Sequence, residues 1–333
     1  MRVALVGAGF FGRLHAEAWS RAEGAELVAI LDQDPGKAEG LGAPVFSDLK
    51  TMMREARPDI VDIAAPPAAH FALIRALAPL CPRLICQKPF CTSLEEAEAA
   101  LALVEAVGGR LIIHENIRNQ PWYSEAGRLV AAGALGAPFA ASFRLRPGDG
   151  RGPDAYLSRQ PYFQRMPRFL VHETAVHWID LFRALFGEPA GVYADLRRLN
   201  PAIAGEDAGF LLLDWLDGRR ALFDGNRLMD HAATNQRRTM GEMLIEGDRA
   251  ALRIDGEGRI FLRDFRSVEE REHAFPWEDR GFGGDCVYIS CIKYLDSLQS
   301  GAPCGTEAAT WLGNLRIEEA AYRSAAEGRR IAL

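Results

Sequence analysis

Three side chains stand where acid–base chemistry needs them: Lys88 within Gln87-Lys88-Pro89, and Glu173 and His177 four residues apart. A lysine at a strand end can hydrogen-bond a substrate hydroxyl and stabilise the alkoxide formed as hydride leaves. Desolvated, such a lysine can also relay a proton. Glutamate and histidine at this spacing share one helix face. Imidazole exchanges protons near neutral pH, and the carboxylate can fix its tautomer or bind a hydroxyl. Which of Lys88 and His177 accepts the proton is left open by the residues themselves.

A fourth pattern, Gly7-Ala8-Gly9-Phe10-Phe11-Gly12, suits a dinucleotide. Gly7 permits the tight turn, Gly9 lets the backbone approach a pyrophosphate, and Gly12 lets helix and strand pack closely. The helix that follows offers unpaired amides and its positive dipole end. Twenty residues past Gly12 stands Asp32. Its carboxylate can accept both ribose hydroxyls and repels a 2′-phosphate, which favours NAD over NADP. Asp34 reinforces that sign and Lys37 opposes it.

These residues need elements to hold them. Residues 3–6, 27–31, 60–64, 84–86 and 111–113 are apolar runs of the kind buried on both faces of a parallel sheet. Helical patterns fill the gaps at 12–22, 35–41, 49–56, 70–80 and 94–107, the last opened by Thr92-Ser93 and closed by Gly108-Gly109. The alternation predicts a doubly wound α/β domain over residues 1–118. Beyond it the texture changes to a helix at 124–132, a strand at 138–145, a Gly/Pro-rich loop through 147–167 and an amphipathic helix at 169–185. Strands with Asp-Gly and Glu-Gly turns occupy 190–275, and two helices close the chain near 285–299 and 307–326. Residues 119–333 therefore read as an α+β domain with a large, mainly antiparallel sheet.

Composition bounds the partners. The 333 residues carry 39 Lys and Arg against 45 Asp and Glu, a net charge of −6 that argues against nucleic acid or an anionic membrane. No apolar stretch reaches the length of a membrane helix. An N-terminal mimic of a signal peptide is broken by Gly7 and Gly9. The six cysteines lack the paired spacing of zinc sites, so free thiols in a reducing cytoplasm are expected. His172-Glu173 with His177 does not match a metal-binding helix and has no third ligand in view, so no metal is expected.

Together, residues 7–12 with His15, Ala65-Pro66-Pro67 with His70, Gln87-Lys88-Pro89 and the Glu173/His177 helix resemble the Gfo/Idh/MocA oxidoreductases over nearly the whole chain. The resemblance implies a Rossmann domain, a second domain whose open sheet builds a homodimer or homotetramer, and hydride transfer from sugars or cyclitols to NAD(P). It carries the family's Glu-Lys-Pro lysine onto Lys88, with Gln87 replacing the glutamate, and the family's Asp/His pair onto Glu173 and His177. It adds Phe10, Phe11, Pro66, His70 and Gln87 as cofactor-binding positions. Residues 115–123 are similar to a sugar-dehydrogenase subgroup in which some members oxidise apiose. Asn116, Arg118, Tyr162 and Arg168 are expected substrate contacts, while Arg144 and Arg146 with Arg168 would suit an acidic substrate. Oxidation of an aldose to a lactone is the first reading and a cyclitol or sugar alcohol the next. An NAD- and sugar-binding regulator without turnover, and NAD-assisted glycoside cleavage, are the alternatives.

Overall fold

In a computed structural model describing residues 1–333, the first third alternates as its apolar runs require. Its elements are β1 (Arg2–Val6), α1 (Phe10–Arg21), β2 (Glu26–Leu31), β3 (Val45–Phe46), α2 (Leu49–Ala56), β4 (Ile60–Ile63), α3 (Pro67–Leu77), β5 (Arg83–Gln87), α4 (Leu94–Glu105) and β6 (Arg110–His114). The strands form one parallel sheet in the order β3-β2-β1-β4-β5-β6. Strand order reverses between β1 and β4, and ligands bind such sheets at the carboxyl ends beside that point. The two-residue β3 is too short to announce itself in the sequence. The helix expected at 35–41 is a single 3-10 turn, Pro35–Ala38, whose Asp34 side chain accepts the Gly36 N–H. Gly36 in its middle disfavours anything longer.

The remaining chain forms α5 (Pro121–Ala131), β7 (Pro138–Leu145), α6 (Val176–Phe186), β8 (Gly191–Arg197), β9 (Ala208–Asp214), β10 (Arg220–Asn226), β11 (Gly241–Gly247), β12 (Ala250–Ile254), β13 (Ile260–Asp264) and β14 (Arg271–His273). It ends with α7 (Cys286–Ser300), α8 (Ala308–Glu327) and β15 (Ile331–Ala332). Nine strands make the second sheet, in the order β14-β13-β12-β11-β7-β10-β9-β8-β15. Every pairing is antiparallel except β7 with β10. On one face Phe143 stacks on Trp178 of α6, ring centroids 4.0 Å apart, with Phe223 beside them. On the other face Tyr193, Leu212, Leu222, Ser142 and Leu244 stand directly opposite one another across five strands and are partly exposed.

By contacts, the chain divides into Met1–Asn119 with Asp285–Leu315, and Gln120–Gly284 with Arg316–Leu333. A single cut at 118/119 is therefore too simple: α7 and the start of α8 count with the parallel sheet. The helix expected at 169–185 also differs. Leu170–Ala175 is a π-helical turn that leads into α6, and α6 is buried on nearly all sides rather than amphipathic. Glu206 explains the wide turn. Its side chain accepts the N–H of Phe169 and Val171, and its carbonyl accepts that of Leu170, drawing the helix start toward a neighbouring loop.

Candidate active site

The loop after β1 is built for close approach. Gly7 has φ +101°, and a Cβ there would lie 2.8 Å from the Ala64 carbonyl oxygen. One at Gly12 would meet the Gly7 carbonyl oxygen at 2.1 Å. At Gly9 an added Cβ meets no protein atom within 4 Å, so the chain's own packing does not demand this glycine. The space is what an approaching pyrophosphate requires. No side chain caps α1, leaving its first-turn amides for an anion. Asp32 sits beside them, its Oδ2 accepting the Ala8 N–H at 2.7 Å and its Oδ1 the Asp34 N–H at 2.9 Å. Phe10 and Phe11 flank the loop with their rings edge to face, Phe10 largely exposed. These residues fit a dinucleotide.

Lys88 follows β5, two places along the sheet from β1, and only 8 % of it is exposed. Its backbone N–H donates to Gln87 Oε1 at 2.7 Å, and Gln87 Nε2 lies 3.0 Å from His15 Nε2. His15 Nδ1 lies 2.7 Å from Asp62 Oδ2. The Lys88–Pro89 peptide is cis. His70 of α3 is wholly buried between two loops, Nε2 2.8 Å from the Ala65 carbonyl oxygen and Nδ1 3.1 Å from that of Pro89. Burial pushes this imidazole down to about 4, although both carbonyls favour its charged form. Pro66 precedes the first turn of α3. Asn116 and Arg118 are also in this unit. Asn116 donates to Cys286 Sγ of α7, and Arg118 donates to the Gly305 carbonyl. Five of the six cysteines are buried and all six are free thiols.

In the other unit Glu173 and Thr174 lie in the π-turn and His177 in the first turn of α6, all largely buried. Thr174 Oγ1 donates to Glu173 Oε2 at 2.6 Å, and Arg227 from the end of β10 reaches Thr174 Oγ1 at 2.6 Å and Glu173 Oε2 at 3.7 Å. Arg227 is itself held by Asp149, Nη2 to Oδ2 2.9 Å, and lies over the Phe169 ring at 4.8 Å. Burial works against its charge, but Asp149 and then Tyr156 and Glu173 outweigh it and keep the guanidinium protonated. Arg159 also reaches Asp149. Arg237, half-buried beside the Phe282 ring, is pushed down to about 10 by burial and by the like charges of Arg159 and Arg227. Tyr162 is largely exposed and accepts a hydrogen bond from Gln160.

Other expected contacts are spoken for. Arg168 forks onto Glu319 and lies over the Tyr322 ring, Arg146 pairs with Asp224, and Arg144 lies 3.9 Å from Glu242. Each of those three arginines thus has a carboxylate beside it. His172 Nδ1 lies 2.6 Å from Glu318, and no three His, Cys, Asp or Glu side chains are grouped to hold a metal. Sequence reasoning passed over Asp149, Arg159, Arg227 and Arg237. Asp149 and Arg159 lie in the Gly/Pro-rich loop, and the two others lie more than fifty residues from Glu173, so no local spacing marks them.

The sequence profile of the Gfo/Idh/MocA oxidoreductase family, NAD-binding Rossmann fold, matches residues 1–115, and that of the family's C-terminal domain matches residues 123–253. The D-apiose dehydrogenase of Paraburkholderia graminis is 32% identical over 99% of this chain and 89% of its own length. The inositol 2-dehydrogenase of Rhizobium meliloti is 26% identical over 100% and 99%. Among solved structures, an oxidoreductase from Agrobacterium radiobacter in complex with NAD+, L-tartaric acid and magnesium superposes with a TM-score of 0.87. It is 29% identical, and the match covers 100% of this chain and 98% of that one. The chain belongs to the Gfo/Idh/MocA family of NAD-binding oxidoreductases.

Proposed function

We propose that this oxidoreductase moves a hydride from a carbohydrate CH–OH to NAD+, giving the carbonyl compound, NADH and a proton, with an aldose oxidised to its lactone as the first substrate class. The observation that carries the reading is Lys88, nearly buried at the carboxyl end of β5 in the sheet whose β1 loop fits the dinucleotide. Bound NAD+ supplies the hydride acceptor. Asp32 takes the adenosine ribose hydroxyls and discriminates against a 2′-phosphate. Lys88 donates to the reacting hydroxyl and stabilises the alkoxide as negative charge develops. His177 accepts the hydroxyl proton, and Glu173, fixed by Thr174 and Arg227, binds a neighbouring hydroxyl. His70 positions the loops after β4 and β5.

The relatives named D-apiose dehydrogenase support a pentose, and those named inositol 2-dehydrogenase support a cyclitol as the next choice. The partly exposed row Tyr193, Leu212, Leu222 and Leu244 supports a homodimer or homotetramer formed through the nine-stranded sheet. Buried free thiols support a reducing cytoplasm. No helix is long and apolar enough to cross a membrane.

The test is a panel of aldoses, cyclitols and uronic acids with NAD+ or NADP+, read as NADH or NADPH absorbance. Net NADH with at least one substrate, lost on the order of 10³-fold in Lys88→Met and His177→Asn, is the expected result. Flat traces across the panel, or cleavage of a glycoside without net NADH, refute it. A His177→Asn variant with near-normal turnover removes His177 from the proton transfer.

A further inference from the structure

The hydrogen bonds around Gln87 fix more than a side-chain position. Backbone N–H of Lys88 can only donate, so the Gln87 atom 2.7 Å from it is the amide oxygen. The other end of the amide is then NH2, a donor, and it points at His15 Nε2 from 3.0 Å. Nε2 must therefore present a lone pair. The imidazole proton is left at Nδ1, which donates to Asp62 Oδ2 at 2.7 Å. Trp19 Nε1 donates to the same oxygen at 2.7 Å, as expected of an ionised carboxylate. Turning the amide over would set NH2 against N–H, so a protonated Nε2 has no acceptor on Gln87 without breaking the bond to Lys88.

All of this is sealed from water. His15 and Asp62 are 0% exposed. The remaining titratable neighbours are Cys86 of β5, His114 of β6, whose ring centroid lies 4.1 Å from that of His15, and Cys291 and Tyr294 of α7. Burial first, with Asp62's charge contributing, pushes both thiols well up, so they stay protonated. Burial likewise holds Tyr294 as a phenol. Asp62 Oδ1 accepts no hydrogen bond. Its other oxygen is what aims the His15 ring.

We infer that His15, locked by Asp62 and Trp19 as the neutral Nδ1–H tautomer, is a positioning residue that fixes the main chain of Lys88 through the Gln87 amide. The chain of bonds runs from the cofactor helix α1 and β4 to the residue proposed to hold the reacting oxygen, and so rests on the dehydrogenase reading for its catalytic meaning. It also explains the amide at position 87. A carboxylate there would set acceptor against acceptor at Nε2 and would require an imidazolium, placing a second anion and a new cation in the same dry space. His15 touches neither substrate nor cofactor in this scheme. It acts through Gln87.

The decisive measurement is 15N–1H NMR of histidine-labelled protein at about neutral pH, which distinguishes a lone-pair Nε2 from a protonated one and needs no turnover. The wild-type His15 signals are expected at the Nδ1–H tautomer, and Gln87→Glu is expected to move Nε2 into the protonated range. In kinetics His15→Phe, which keeps a ring but has no acceptor, should lower kcat on the order of 100-fold, the cost of misplacing a reacting group by about an ångström. KM for NAD+ should change less. Gln87→Met, which removes the bond to Lys88 N–H while keeping the volume, should reproduce that split. A protonated Nε2 in the wild type overturns the inference even if the enzyme turns over. A neutral Nδ1–H tautomer with no NADH from any substrate leaves the tautomer assignment standing and sinks the dehydrogenase reading instead. An unchanged kcat in both variants also overturns the positioning role.

Discussion

His70 gives a quantitative test of how the loops after β4 and β5 are held. The folded protein keeps this wholly buried imidazole neutral down to about pH 4, whereas the unfolded chain takes up the proton near 6.5. Between those values the unfolded state binds more protons, so stability falls as pH falls; the full contribution is present above about 6.5. A shift of this size corresponds to about 3 kcal/mol in total, of which about 2 kcal/mol is lost between pH 7.5 and pH 5. Carboxylates titrate over part of the same range, so the variant His70→Gln serves as the reference. It keeps an amide donor near Ala65 and Pro89 and cannot titrate. Urea unfolding of both proteins at the two pH values isolates the term. Wild type should exceed the variant at pH 7.5 by about 2 kcal/mol more than it does at pH 5. An equal difference at both pH values would refute the reasoning, because it would mean that His70 titrates in the fold as it does in the unfolded chain; a larger difference at pH 5 would refute it too, by showing that both carbonyls hold the ring protonated.

Five further outcomes follow from the geometry. Gly9→Ala, where the added Cβ meets nothing, should fold with unchanged thermal stability yet weaken NAD+ binding about tenfold or more by calorimetry. Gly12→Ala should fail to fold stably, given the 2.1 Å approach to Gly7. Asp32→Ala should raise KM for NAD+ and narrow the NAD+/NADP+ ratio of kcat/KM about tenfold or more, measured in parallel assays. Arg237→Gln removes a charge disfavoured by burial and by Arg159 and Arg227, so it should stabilise the fold by about 1 kcal/mol in urea after allowance for solvent screening. The same variant should raise KM for the carbohydrate if the charge is kept there for binding. Leu222→Glu, in the exposed apolar row of the sheet, should shift the protein to smaller species in size-exclusion chromatography without changing its circular dichroism.

The parallel sheet was readable because its strands are buried on both faces and therefore run apolar without interruption, and because Gly7 and Gly12 occupy places where a Cβ would meet the main chain. Lys88 stood out because it is set against a proline at a strand end. The arginines of the other unit did not. Arg227 is a buried cation whose partners, Asp149 and Thr174, are brought to it only by folding, and an arginine near a strand end usually means solvent. The partner of Arg168 was equally invisible: it is Glu319, 151 residues away. The π-turn at 170–175 was hidden because Glu206 draws on its amides from another element, and helical periodicity reports only what a helix does alone.

The division of the chain also bears on how the protein is made. Helix α7 packs on α1, with Arg21 bonded to Asp285 at 2.6 Å, and Thr306 accepts the N–H of Ile113 beside β6. A ribosome that has released all six strands of the parallel sheet has therefore not yet released what covers one helix of it. The nucleotide-binding half remains unfinished until residues 285–315 have emerged, while residues 120–284 can begin to fold in the interval. Both units take residues from the closing helices, the first as far as Leu315 and the second from Arg316 to Leu333, and a fragment ending near residue 119 is expected to be a sticky substrate for chaperones rather than a free-standing cofactor module.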